Sequence, residues 1–313
     1  RLSILQGQLV QKGCGVRMGS MGGIRGAAGM NPGGSLGGGK PVVPRWRQLG
    51  LSESKPMRFS PKMRAVSLAT GAGVVASGVW HNLAAKPCLA LETSTREERL
   101  SRWMEGWSIG RTAFHRAEVN ATIIQNEKVW LATDSKLRVL VPLCGKTVDM
   151  PYLAGLEQVH SVVGVEGVPL AIEEFIKENP ELKMKRVSNT EQFQVFKGKN
   201  VFLHLGDFFE FGQDQNFDRV WDRGSLVAIQ PALRERYVAL LDDVLAPGGK
   251  ILLEGLHRKK GPEAACKKGP PFSLQESDIK NLFSSKKYTV KKMSSKNILE
   301  GKGGEEYARF KSE

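Results

Sequence analysis

Apolar residues along the second two-thirds of the chain fall into two alternating textures. Five short runs, "LRVLVP" (137–142), "HSVVGVE" (160–166), "NVFLHLGD" (200–207), "FDRVWD" (217–222) and "GKILLEGL" (249–256), are close to continuous in Val, Leu, Ile and Phe. That is the texture of strands buried on both faces. Between several of them the period lengthens to that of a helix. "VPLAIEEFIKENP" sets Leu170, Ile172, Phe175 and Ile176 on or near one face and stops at Pro180. "PALRERYVALLDDVLAPGG" spaces Leu233, Tyr237, Leu240, Leu241 and Leu245 the same way before a Pro-Gly-Gly stop, and Ser273 with Glu276 forms a candidate capping box before "SDIKNLF". Strands alternating with helices predict an α/β fold built on a doubly wound, mainly parallel sheet with helices on both faces.

The first third reads differently. Up to residue 90 there are 12 Lys and Arg against a single acid, Glu53, a net +11, whereas the remainder carries 34 basic and 31 acidic residues, a net +3. Glycine clusters such as "GGSLGGGK" recur there without a sustained helical or strand period, so too little apolar surface is available to offset the entropy of ordering. Residues 1–95 are therefore expected to be a disordered extension and residues 96–313 the folded domain. A basic, acid-poor, hydroxyl-bearing segment of this kind suits an organelle transit peptide, plastid or mitochondrial. "AVSLATGAGVVASGVWHNLAA" (65–85) approaches a membrane span in length but lacks its Leu, Ile and Phe density, so a processing site near Ala84-Ala85 is expected rather than a stable membrane anchor. Cys14, Cys88, Cys144 and Cys266 form no CxxC pair and the five histidines no i, i+4 pair, so no metal site is expected.

The loop that ends the first strand, "VLVPLCGKTVDM" (139–150), carries Gly145-Lys146-Thr147, the tail of a phosphate-binding motif. The full motif needs a glycine five positions before Gly145, and that position is Leu140, inside the strand. Too few glycines remain for backbone NH groups to wrap phosphates, and the dinucleotide fingerprint is absent for the same reason. What survives is a strand, a tight turn, and a second strand ending in Glu166 about 20 residues later, the position from which an acid reaches the ribose hydroxyls of an adenosine-containing ligand.

"WMEGWSIGRTAFH" (103–115), "PLCGKTVDM" (142–150), "VVGVE" (162–166), "WDRGSLVAI" (221–229) and "GPPFS" (269–273) together resemble the thiopurine S-methyltransferase family, in that family's order and spacing. The resemblance covers essentially residues 98–313. It implies a class I methyltransferase fold with a seven-stranded sheet, one strand antiparallel near the C-terminus, and S-adenosyl-L-methionine as cofactor. It also implies cofactor contacts at Trp103, Trp107, Leu143, Gly145, Glu166, Asp207, Phe208 and Arg223, and substrate contacts at Phe114 and Arg223. Trp103 and Trp107, four residues apart, would form a lid over the pocket, and Asp222 would position Arg223 or a proton-carrying water beside the reacting centre.

Methyl transfer from a sulfonium needs alignment and exclusion of water more than a strong base. A small, soft acceptor that is anionic near neutral pH, a thiol or a related sulfur or selenium species, is therefore expected, with halide, thiocyanate or metalloid acceptors as the alternative. The chain departs from the family pattern at "LEGLHRKKGPEAACKKGPPFS", where His257, Arg258, Lys259, Lys260, Lys267 and Lys268 form a basic run, so the thiopurine substrate itself does not carry over. The overall pI near 9.7 fits a nucleic-acid methyltransferase, but the excess charge lies in the extension and the domain lacks a basic stripe with interleaved aromatics. No nucleic-acid partner is expected, and the protein is expected to act as a monomer.

Overall fold

The computed structural model describes residues 2–12, 95–212, 215–258 and 269–297. Nine strands form one sheet in the order β4-β5-β6-β3-β2-β7-β8-β1-β9. Its centre is parallel: β6 (Val201–Leu205), β3 (Val159–Glu166), β2 (Leu137–Pro142), β7 (Phe217–Arg223) and β8 (Leu245–Arg258) run side by side in one direction. The helices divide between its two faces, as the doubly wound reading expects. On one face, α2 (Ala121–Trp130), α3 (Asp149–Gly155) and α4 (Pro169–Glu178) pack Ile123, Trp130, Met150, Leu153, Ile172 and Phe175 against Val139, Val141, Val162, Trp221 and Leu252. On the other, α5 (Ser225–Ala228), α6 (Arg234–Val244) and α7 (Glu276–Leu282) cover Leu140, Val163, Val220, Ile251 and Leu253. Adjacent strand residues thus serve opposite cores, because the pleat sends successive side chains to opposite faces.

The five runs read as strands are all strands, and "LRVLVP" matches β2 residue for residue. The strand count is corrected from seven to nine. A hairpin of β4 (Lys185–Asn189) and β5 (Gln194–Gly198) extends one edge through antiparallel pairing with β6. Every residue of β4 is exposed, so it has no apolar face to announce it, and its Lys185 and Arg186 suit a strand left at an open edge.

The second correction concerns the extension. Residues Leu2–Gln11 form β1, which lies antiparallel between β8 and β9 (Tyr288–Asn297). Leu5 and Leu9 are buried in the core beneath α6 and α7, and Gln6 and Gln8 point to the other face. Among the described residues, the antiparallel strand of this half of the sheet comes from residues 2–11, which belong with the folded domain. The strand pattern of "LSILQGQLVQ" was masked by the glycine and charge statistics of the 80 residues after it. Residues 13–94, including the segment 65–85, lie outside the described residues, as do 259–268 of the basic run. Among the described residues no helix is long and apolar enough to cross a membrane, and no group of His, Cys, Asp or Glu is placed to hold a metal ion.

One expected cap also moves. The capping box of α7 is formed by Gln275 and Asp278, while the Ser273 hydroxyl accepts the Arg258 backbone NH at 2.9 Å and so ties β8 to the following turn.

Candidate active site

The carboxyl ends of β2, β3 and β7 meet under helix α1 (Arg96–Ser108), whose start is fixed by a capping box between Thr95 and Glu98. The turn after β2 is shaped by two left-handed residues, Leu143 (φ 44°) and Gly145 (φ 54°). For leucine that conformation costs about 1 kcal/mol or more. It is held because the Cys144 NH donates to the Val165 carbonyl at 3.0 Å and the Gly145 NH to Glu166 Oε2 at 2.8 Å. Two adjoining hollows open on either side of Leu143. One, with about 570 Å³ of open space, is lined by Trp103, Leu143, Asp207 and Phe208 among others. The other, about 460 Å³, is lined by Trp107, Phe114, Leu143, Gly145 and Arg223 among others. Leu143 lines both hollows, so its left-handed turn stands between them.

The tryptophans of α1 converge on Phe114. Trp107 is buried against Val168 and Ala171, and a ring carbon of Trp107 stands 3.4 Å from where a Cβ on Gly145 would lie. Phe114 meets both tryptophans edge-on, with ring centroids 5.8 Å from Trp103 and 5.9 Å from Trp107. Arg223 lies beside this cluster, its guanidinium Nη1 donating to the Phe114 carbonyl at 2.6 Å and its Nε facing Glu254 Oε1 at 3.6 Å. Burial lowers the proton affinity of Arg223 and Glu254 opposes that, so the guanidinium stays charged.

The remaining expected residues divide. Asp207 is buried: one carboxylate oxygen caps the turn by accepting the Phe209 NH at 3.0 Å, and the other takes Arg99 of α1 at 3.1 Å. Its second task is therefore to clamp α1 over the first hollow. Glu166 lines neither hollow directly. Its two oxygens accept the Gly145 and Val168 NH groups at 2.8 and 2.9 Å, and burial pushes its pKa up against the pull of those bonds. Lys146 is spoken for by Glu174 at 2.9 Å and Glu178 at 2.6 Å, both on α4, so the motif-like lysine pins the loop to a helix.

Asp222 is corrected. It does not touch Arg223, because neighbouring strand residues face opposite sides and Asp222 points into the core beneath α6. Its carboxylate accepts the Leu226 NH at 3.1 Å and the Tyr237 hydroxyl at 2.9 Å. Asp149, the first residue of α3, accepts the Asn120 NH at 2.8 Å and the Trp221 indole NH at 2.9 Å. The partner of Arg223 is Glu254, which the sequence reading missed. Its signal was an acid in the middle of the apolar run "ILLEGL", where an unpaired charge would be costly.

Burial raises the Asp222 pKa from 3.8 to about 6, with the Leu226 and Tyr237 bonds opposing. A carboxyl whose folded pKa lies above its unfolded value binds its proton more tightly in the fold. Its contribution favours folding below about pH 4 and is lost as pH rises to about 6. Asp222→Asn is therefore expected to flatten the fall of Tm between pH 4 and about 6 that the wild type shows, as read by thermal melts across that range. A variant with the wild-type slope would remove Asp222 as the source.

With this geometry in view, the comparisons decide the family. The family model for thiopurine S-methyltransferase (TPMT) matches residues 98–311. The chain belongs to the thiopurine S-methyltransferase family. A probable thiopurine S-methyltransferase of Danio rerio is 36% identical over 189 residues, covering 59% of this chain and 79% of that protein. The thiopurine S-methyltransferase of Oryctolagus cuniculus is 35% identical over 192 residues, covering 60% and 76%. A solved DhpI-SAM-HEP complex overlays more loosely, with 19% identity and a TM-score of 0.35 over 51% of this chain and 66% of that one. As a member of this family the chain is an S-adenosylmethionine-dependent small-molecule methyltransferase, and its cofactor is S-adenosylmethionine.

Proposed function

We propose that this enzyme methylates a small, soft nucleophile that is anionic near neutral pH, foremost a thiolate or a related sulfur or selenium species. The observation that carries this reading is Arg223. Its cation is fixed by Glu254 and the Phe114 carbonyl in the same hollow as Trp107 and Phe114, so positive charge and aromatic surface converge where an acceptor would lie. The Trp103, Phe208 and Leu143 hollow then takes the adenosine half of the cofactor, and the Gly145 turn its amino-acid half. Glu166 shapes that turn by accepting the Gly145 and Val168 NH groups, and it is the acid proposed to meet the ribose hydroxyls.

When bound, S-adenosylmethionine supplies a methyl group already activated by its positive sulfur. The chain's task is to bring an anion in line with it and keep water out. Arg223 lowers the energy of the acceptor anion without taking a proton, and the thiol proton leaves to solvent before transfer. Trp103, Leu143 and Phe208 would hold the cofactor, which would supply the methyl group to the acceptor sulfur and keep the electron pair of the broken carbon–sulfur bond. Trp103, Trp107 and Phe114 wall off the reacting line, and no covalent relay is needed. Cys144 is buried and its thiol is pushed well above its usual range, so it is poorly suited to act as a nucleophile.

Thiopurine is the substrate the relatives are named for. The sequence run His257, Arg258, Lys259, Lys260, whose first two residues end β8, favours an acceptor chosen by its negative charge. An acceptor screen of the full chain with methyl-labelled S-adenosylmethionine tests this. Methylation of aromatic thiols, sulfide or selenols is expected. Turnover of halides or metalloids alone establishes the alternative acceptor class, and calorimetric cofactor binding without any turnover overturns the catalytic reading.

A further inference from the structure

The strand register places Arg223 of β7 opposite Glu254 of β8, Glu254 opposite Gln6 of β1, and Gln6 opposite Ser294 of β9. Four polar residues thus form one row across four strands on a single face of the sheet. They are bonded along the row as well as aligned. The Ser294 hydroxyl donates to Gln6 Oε1 at 2.5 Å, which orients the amide. The Gln6 Nε2 then donates to Thr122 Oγ1 at 2.6 Å and reaches Glu254 Oε2 at 3.4 Å. Thr122 itself donates to Glu254 Oε2, and Asn120 Nδ2 donates to Glu254 Oε1 at 3.0 Å. Glu254 ends the row on the Arg223 guanidinium. Gln6 is thus the only member of the row that comes from the region before residue 95, and it lies 248 residues from Glu254 in sequence.

We infer that Gln6 is a positioning residue for methyl transfer, and that residues 2–11 are a working part of the catalytic domain. Held by Ser294, Gln6 fixes the second oxygen of Glu254 through its own amide and through Thr122. Glu254 then has one orientation in which its first oxygen faces Arg223. Without Gln6, a buried carboxylate loses a donor and gains freedom to turn, and the guanidinium loses its fixed direction. A cation misplaced by a fraction of an ångström from the acceptor lowers the rate more than it lowers binding. The inference rests on the proposed role of Arg223. It adds that strand β1 acts on the chemistry through its polar face, while Leu5 and Leu9 on its other face support the core.

The test compares Gln6→Ala with Leu9→Ala, a change on the opposite face of the same strand. Gln6→Ala is expected to lower kcat at least about fivefold, with the calorimetric Kd for S-adenosylmethionine unchanged; Leu9→Ala is expected to lower Tm while its folded protein keeps the wild-type kcat. Gln6→Glu, which sets a second acid beside Glu254, is expected to be at least as slow as Gln6→Ala. A readout independent of turnover is the NMR signal of the Arg223 Nε–H, assigned by its disappearance in Arg223→Lys, which is expected to shift and broaden in Gln6→Ala. If that signal is unmoved, or if Gln6→Ala behaves like Leu9→Ala, β1 is structural only and the inference falls. If the signal moves while Arg223→Lys and Arg223→Ala leave turnover unchanged, the coupling stands and it is the role of Arg223 that fails.

Discussion

Arg223→Ala is expected to cut kcat by about a hundredfold while calorimetric affinity for S-adenosylmethionine changes little. The reason is geometric. Arg223 lies in the hollow with Phe114 and Trp107, away from the adenosine hollow formed by Trp103 and Phe208, and its contacts are to Glu254 and the Phe114 carbonyl. The charge it supplies is directed at the acceptor, whose negative charge is consumed as the methyl group moves. Arg223→Lys keeps the charge but cannot span Glu254 and the Phe114 carbonyl with one planar fork, so an intermediate rate is expected. Arg223→Ala leaves Glu254 without its counter-cation in a buried setting and should lower Tm, so melts of the variant separate loss of fold from loss of rate. Steady-state kinetics with several acceptors checks the prediction, and wild-type rates in Arg223→Ala across them would end the assigned role.

Glu166→Ala should act on the other half of the site. Its carboxylate takes the Gly145 NH from the turn after β2 and the Val168 NH from the start of α4. Loss of both acceptors leaves two buried donors unpaired and removes the group proposed to meet the ribose hydroxyls. Cofactor affinity is expected to fall by about 2 kcal/mol or more, roughly thirtyfold in Kd, together with a lower Tm. Glu166→Gln retains one acceptor oxygen and is expected to recover part of both. Titration calorimetry decides it: an unchanged Kd in Glu166→Ala would leave Glu166 with the turn and no part in cofactor binding. The two variants thus predict opposite splits, Arg223 in rate and Glu166 in affinity.

The parts of this molecule that were legible from its residues are those decided within one element or one turn. Val139 to Pro142 form a buried strand because every residue is apolar, and Leu140 at the place of a required glycine excluded a phosphate cradle without any structure. The tryptophans of α1, the turn at Leu143 and the acid at Glu166 were each carried by a short motif. Asp222 shows where such reading ends. Adjacent to Arg223 in sequence, it was grouped with it, yet the pleat sets the two on opposite faces, and Asp222 serves Tyr237 instead.

Sequence alone therefore determined the fold class and the turn that ends β2, because periodicity, glycine placement and strand ends are local properties. Tertiary structure decided which groups hold Arg223. Asn120 is 134 residues from Glu254 and Gln6 is 248 residues from it, and they meet only through strand register and the packing of α2 on the sheet. It also decided that residues 2–11, which composition assigned to an extension, are a strand in the interior of the sheet. Two buried leucines and a row of cross-strand hydrogen bonds hold them there, and none of these exists until β8 and β9 stand on either side.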